Sequence, residues 1–239
     1  MTLRNVYAGL LVVVAVPAWN SASARASIDK FDYIKIDDNR WARSGEVDGI
    51  KTFKKEVEND PIIALRGEGI IDASIAKVAQ VIFDNSRAAE WVDSLADARV
   101  VKKISDYQQI GYAHVSTPPL IMKDREFVTL AGVHYNPQDK IIYVTLEPGD
   151  DSWVSPTNYI RGTIHGGYLL KSMENGKKTF LVTEMHGDPK GGVPKWIVNM
   201  FQAGWAKNTI RRIRDQVKKP DITEHLKVIE VMEKGEAIL

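Results

Sequence analysis

The stretch Asp188-Pro189-Lys190-Gly191-Gly192-Val193-Pro194-Lys195-Trp196-Ile197-Val198-Asn199 divides the chain into two unlike parts. Before it, from Arg99 to His186, β-branched and alternating segments follow one another with no strong helical period. After it, apolar residues recur every three to four positions. Pro194 sits where a first-turn proline is tolerated, because the N–H it lacks has no intrahelical acceptor there. The spacing predicts one helix from Trp196 to about Lys218, with Met200, Ala203, Ala206, Ile210, Ile213 and Val217 on one stripe. Ile197, Phe201 and Trp205 add a second apolar stripe in the first half only. The second half is basic, through Lys207, Arg211, Arg212, Arg214, Lys218 and Lys219. A helix apolar on two sides at one end is buried on both, or covers something hollow. Pro220 ends it, and Asp221 with Glu224 reads as a capping box opening a tail helix over about 222–234.

Upstream, strands are predicted over about 99–106, 109–116, 125–135, 140–147, 158–171 and 178–186. Asn136-Pro137-Gln138-Asp139 and Glu174-Asn175-Gly176-Lys177 carry hairpin turn residues. On the 125–135 strand, Phe127, Thr129, Ala131, Val133 and Tyr135 share one face, and Val128, Leu130, Gly132 and His134 the other. Both faces are partly apolar, so the sheet is expected to be covered on both. Residues 41–72 are strand-like, with Gly67 and Gly69 interposed. A helix starts at Asp72/Ser74 and carries Ile75, Val78, Val81 and Ile82, and a short turn over 88–92 carries Trp91. Strands outnumber helices and no βαβ alternation appears. The expected class is α+β: a curved antiparallel sheet wrapped around the C-terminal helix.

The chain has 239 residues, no cysteine and a formal charge of +1. It is long enough to bury a core without disulfides. Zero cysteine excludes thiol nucleophiles, Cys-type zinc sites and iron–sulfur clusters, and near-neutral charge argues against a nucleic-acid partner. Residues 1–26 read as a secretory signal peptide. Arg4 precedes an 11-residue apolar run, Val6 to Val16, and Ala22-Ser23-Ala24 and Ala24-Arg25-Ala26 offer small-x-small cleavage sites. The run is short for a membrane span, which needs about 20 residues. Cleavage removes Arg4 and Arg25 and no anion, so the charge becomes −1. The expected organisation is a leader (1–26), one domain (27–220) and a tail helix (221–239), exported to the periplasm or secreted.

Four stretches together resemble the START, or StAR-related lipid-transfer, family. They are Trp41 with Asp48-Gly49-Ile50-Lys51; Asp84 to Trp91, with Arg87; Lys123-Asp124-Arg125-Glu126-Phe127-Val128; and the 188–199 run. The resemblance covers about residues 41–220. It implies the helix-grip fold, with an internal hydrophobic cavity for one lipid, closed by the C-terminal helix and a loop between two strands. Thr117-Pro118-Pro119-Leu120-Ile121-Met122 is apolar, and its two prolines keep it out of a sheet interior. Pro119, Leu120, Ile121 and Met122 are therefore the candidate gate, with transient membrane contact there or at the basic helix end.

Trp91, Phe127, Tyr143, Tyr168, Trp196, Phe201 and Trp205 are the aromatic candidates for lining the cavity. Arg161 is a candidate head-group anchor, its alternative being an ion pair with Glu126, Glu184 or Asp188. For Arg125 a structural lock is the expectation. Sterol-binding relatives place a basic partner six residues beyond the counterpart of Arg125; here that position is Ala131, which speaks against a sterol. Catalysis finds little support. There is no serine elbow and no i, i+4 histidine pair, and Gly166-Gly167 and Gly191-Gly192 lack the lysine–Ser/Thr of a phosphate loop. The expectation is a monomeric, non-enzymatic lipid-binding and lipid-transfer protein without cofactor or metal. The alternative is a cyclase- or aromatase-like enzyme of the wider helix-grip superfamily, which needs a polar, acid–base-bearing cavity.

Overall fold

A computed structural model describes residues 34–36, 38–117, 123–195, 198–199 and 203–238. The leader, the gate residues Pro119 to Met122, and Trp196 and Phe201 lie outside these. Among the described residues nine strands form one sheet: β1 (Ala42–Val47), β2 (Ile50–Val57), β3 (Asp60–Ile71), β4 (Leu95–Lys103), β5 (Gln108–Val115), β6 (Arg125–Asn136), β7 (Ile141–Pro148), β8 (Ile160–Met173) and β9 (Lys178–Asp188). Their order is β1-β2-β3-β9-β8-β7-β6-β5-β4. Neighbours are antiparallel, and a short parallel pairing also joins β6 to β8 at Arg125–Ile160, Glu126–Arg161 and Phe127–Gly162. The helices are α1 (Ile75–Phe83), α2 (Trp205–Gln216) and α3 (Leu226–Lys234), and a 3-10 turn spans Asn85–Glu90. The fold is α+β, a curved antiparallel sheet with C-terminal helices, as the sequence pattern predicts.

The C-terminal helix is shorter than the 196–218 prediction. Regular helix begins only at Trp205, with Gly204 as its N-cap. Glycine weakens a helix interior by about 1 kcal/mol relative to alanine, and here it serves as a terminus. Lys195, Val198 and Asn199 belong to a separate helical segment. The tail helix also starts later than its capping box implied. His225, not Asp221, is its N-cap, through Nδ1 accepting from the Val228 N–H. Asp221 instead pairs with Arg87 at 2.7 Å, and Glu224 accepts from the Ser74 hydroxyl.

α2 crosses β3 where Gly67 and Gly69 replace side chains. A methyl group at Gly67 would sit 3.0 Å from Ile210 Cδ1 and 3.1 Å from Ala206 Cβ. The two glycines thus set how closely helix and sheet approach. The main core joins Ile210, Ile213 and Val217 to α1 residues Ile75, Val78 and Val81 and to sheet residues Ile71, Leu170 and Leu181. β8 runs so close to both neighbours at Gly166 and Gly167 that a Cβ would lie 2.2 Å from Glu184 O and 1.9 Å from Val144 O respectively. Glycine is required there by packing, not by phosphate.

The opposite sheet face is covered too. Residues 34–36 place Ile34 and Ile36 over Ile141, Leu169 and Val182. Arg66, 1% exposed, fastens this strap. Its guanidinium donates to the Lys35 and Ile36 carbonyls at 2.7 and 3.1 Å and pairs with Glu68 and Glu184 at 2.6 and 2.9 Å.

Candidate functional site

The register of β5 to β8 stacks one apolar face into a wall. Ala131 lies beside Leu146, Val133 beside Val144, Tyr135 beside Ile142, and Val144 beside Tyr168. α1 and the turn after it add Ile82, Phe83, Ala88, Trp91 and Val92, and the tail adds His225, Val228, Val231 and Ile238. Between these walls is a cavity of about 420 Å3. That lies within the ordinary range of ligand pockets, about 300–1,000 Å3. Among the described lining residues only Lys103, Ser105 and Asp106 are exposed. The cavity therefore reaches solvent at the β4–β5 hairpin, beside α3.

Three of the aromatic candidates, Trp91, Phe127 and Tyr168, line this cavity. Tyr143 does not, and corrects the expectation. Alternation along β7 turns it to the other face, against the Ile34–Ile141–Leu169–Val182 cluster. Trp205 is half-buried at the start of α2, and no described residue of α2 lines the cavity.

Arg161 is likewise no cavity residue. Glu126, 2% exposed, accepts from Arg161 Nε at 2.9 Å, Thr157 Oγ1 at 2.9 Å and Tyr112 Oη at 3.1 Å. Burial works to raise the Glu126 carboxyl, but these donors outweigh it and hold the group below its ordinary value. The Arg161 guanidinium is occupied by Glu126 at 2.8 Å and by Asp151 at 3.4 Å, on the face of β6 that faces away from the cavity.

The residues around the expected gate are clamped at its base. Asp124 accepts from the Thr117 N–H at 2.9 Å and meets His114 Nε2 at 2.8 Å, and His114 stacks on Tyr159 with ring centroids 4.0 Å apart. The 188–199 run is also a set of struts. Asp188 pairs with Lys190 and Lys195 at 2.9 and 3.0 Å. Burial alone would raise its carboxyl, yet the N–H and ammonium of Lys190 and the Lys195 ammonium bring it down to about 2. Gly191 and Gly192 hold left-handed φ of 74° and 72°. Arg125, 3% exposed, donates to the Pro189 and Lys123 carbonyls, the lock expected of it. Asn199 bridges to β3 through the Ile63 N–H and the Pro61 carbonyl, each at 3.2 Å.

Burial pushes the Tyr168 phenol up to about 12 and raises Tyr135 as well, so both stay protonated; burial also pushes the His225 imidazole down. His225 meets the Phe83 ring edge-on at 5.4 Å. At the opening, Asp106 sits between Lys103 at 2.8 Å and Lys227 at 2.7 Å, which hold its carboxyl at about 2. Sequence reading missed the tail as a cavity wall. The apolar spacing of Val228 and Val231 was visible, but not what it covers.

Comparison with known proteins agrees with this geometry. StAR-related lipid transfer protein 5 of Mus musculus is 24% identical over 192 residues, covering 77% of this chain and 89% of that protein. The solved human StAR-related lipid transfer protein 5 superposes with a TM-score of 0.69 at 20% identity, over 82% of this chain and 92% of that one. A STAR-related lipid transfer protein from Xanthomonas axonopodis superposes with a TM-score of 0.67 at 22% identity, over 76% and 100%. The START domain family model matches residues 22–221. The chain belongs to the START domain family.

Proposed function

We propose that this protein holds one lipid in the cavity between β5–β8, α1 and the tail, and carries it between membranes without a cofactor. The observation that carries the reading is the cavity itself, about 420 Å3 and walled by Phe127, Ala131, Val133, Val144, Leu146 and Ile164. Water gains little in such a space, whereas each methylene moved into it from water contributes about 0.8 kcal/mol. Membership of a lipid-transfer family supports the same reading. Burial raises Tyr135 and Tyr168 and keeps both phenols protonated, so neither serves as a base in the cavity. In this reading residues 1–26 direct export, the segment 117–122 with the C-terminal helix gates the cavity, and the carrier works as a monomer. Native mass spectrometry of the purified protein tests the central claim. The expected spectrum shows a one-to-one complex with a copurified lipid, or with one extracted from vesicles. Protein that carries none and extracts none overturns it. N-terminal sequencing of the exported protein, expected to begin after Ala24 or Ala26, tests the leader.

A further inference from the structure

The lining of the cavity divides by charge. Among its described residues the ionised side chains are Lys103, Asp106 and Lys227, all at the opening, where Asp106 pairs with both lysines. Away from the opening the polar side chains are neutral ones, and burial pushes the His225 imidazole down, towards its uncharged form. Two of these neutral groups, Gln109 on β5 and Thr129 on β6, share one patch of wall. The register sets Gln109 opposite Ala131 and Gly111 opposite Thr129. The four residues therefore form a square, with the polar pair on one diagonal and the two small residues on the other. Diagonal neighbours of an antiparallel pair lie about 7–8 Å apart, within reach of one small group placed between them. The small corners leave that space open. Thr129 Oγ1 leans over bare backbone, 3.2 Å from where a Cβ at Gly111 would stand. Among the described residues neither the Gln109 amide nor the Thr129 hydroxyl has a hydrogen-bond partner.

Two costs then select the ligand. A carboxylate or phosphate drawn to this patch finds no counter-charge, and an unpaired buried charge is costly. A plain alkyl chain laid over the patch strips water from the amide and the hydroxyl and gives neither a partner. An uncharged oxygen escapes both costs. Glutamine and threonine side chains each donate and accept, so a hydroxyl can bond to both, and an ester or ketone oxygen can accept from both. We propose that Gln109 and Thr129 form a recognition site for the uncharged oxygen of a neutral lipid, an alcohol, ester or ketone, held inside the cavity. A fatty-acid anion still enters, but tail first, with its carboxylate left at the opening and the Gln109–Thr129 pair unsatisfied. The proposal rests on the lipid-binding reading and adds to it the class of lipid and the residues that choose it.

Dodecanol, methyl dodecanoate and sodium dodecanoate share one chain and differ only at its end. Each is titrated calorimetrically into the delipidated protein at about pH 8, where the acid is ionised. The alcohol and the ester are expected to bind at least about tenfold more tightly than the anion, the difference between a hydrogen bond made and a polar group left unpaired. Thr129→Val and Gln109→Leu keep much of each side chain's volume but not its hydrogen bonds. Each is expected to narrow the gap, weakening the alcohol and strengthening the anion, and the double variant to close it. Urea unfolding checks that the variants are folded, and the comparison of the three lipids on the parent protein needs no variant. An anion that binds the parent as tightly as the alcohol overturns the proposal. So does a gap that the folded double variant leaves unchanged, which places the recognising group elsewhere. If none of the three lipids binds, the lipid-binding reading itself falls and the proposal with it.

Discussion

Replacing Arg161 by methionine separates a structural arginine from a ligand anchor. Glu126 is 2% exposed and Arg161 supplies its only ionic partner within 4 Å among the described residues. Removing one member of a buried pair leaves the other charge uncompensated, which costs about 3–5 kcal/mol. Against a typical total of about 5–15 kcal/mol, the variant remains folded but measurably weaker. The pH dependence carries the sharper signal. In the native protein Thr157, Arg161 and Tyr112 hold the Glu126 carboxyl low against its burial. It therefore adds stability above its unfolded value, and that stability is lost as pH falls through the folded value. Without Arg161 burial dominates and the folded value rises. Glu126 then destabilises the fold at neutral pH and relaxes as it takes up a proton. The gap between Arg161→Met and the parent is expected to be largest at pH 7 and to shrink towards pH 5. Urea unfolding at both pH values reads this, and adding Glu126→Gln to Arg161→Met is expected to recover part of the loss. Uptake of a fatty-acid probe by the folded variant should equal that of the parent. A variant of unchanged stability that no longer takes up lipid would refute the reasoning and return Arg161 to the ligand.

Three further outcomes follow from the same geometry. Ala131→Trp puts an indole into a cavity of about 420 Å3 beside Leu146; fatty-acid uptake is expected to fall at least about tenfold while stability changes by no more than about 1.5 kcal/mol, and undiminished uptake would place the ligand elsewhere. Gly167→Ala drives a Cβ to within 1.9 Å of the Val144 carbonyl and is expected to cost at least about 3 kcal/mol in urea unfolding, whereas a mild loss would mean that β8 and β7 can part at little cost. Burial depresses His134 and His225, so the unfolded chain takes up protons near pH 6.5 that the native protein refuses, and stability should decline as pH drops below 6.5, by up to about 1.4 kcal/mol per histidine per pH unit. His165, exposed and paired with Glu147 at 2.6 Å, pulls weakly the other way. Urea midpoints at pH 7.5 and 5.5 that coincide would contradict this.

The stretches that make this chain recognisable are mostly not the ones that line its cavity. Arg87, Arg125, Asp188 and Asn199 are struts, tying the 3-10 turn to Asp221, β6 to the 188–192 turn, and the last helical region to β3. A strut needs a particular donor or acceptor at a particular place, so its residue type stands out in a sequence. A cavity wall needs only apolar volume, which many residues provide, and Ala131, Val133 and Val144 look like any core.

Periodicity and turn chemistry alone determined the strand meander, the α1 segment, both hairpins and the presence of helix near the C-terminus. These are local properties written in spacings of two and of three to four residues. They also carried the two-faced burial of β6. What only the tertiary structure decided depends on which element faces which. It turned Tyr143 outward, gave Arg161 to Glu126, laid residues 34–36 over the far side of the sheet, and brought the tail round to close the cavity beside the β4–β5 hairpin. Each is a contact across 20 to more than 100 residues of sequence. Such pairings follow from the curvature of the sheet and the packing of helices on it, for which no single stretch of the chain carries a signature.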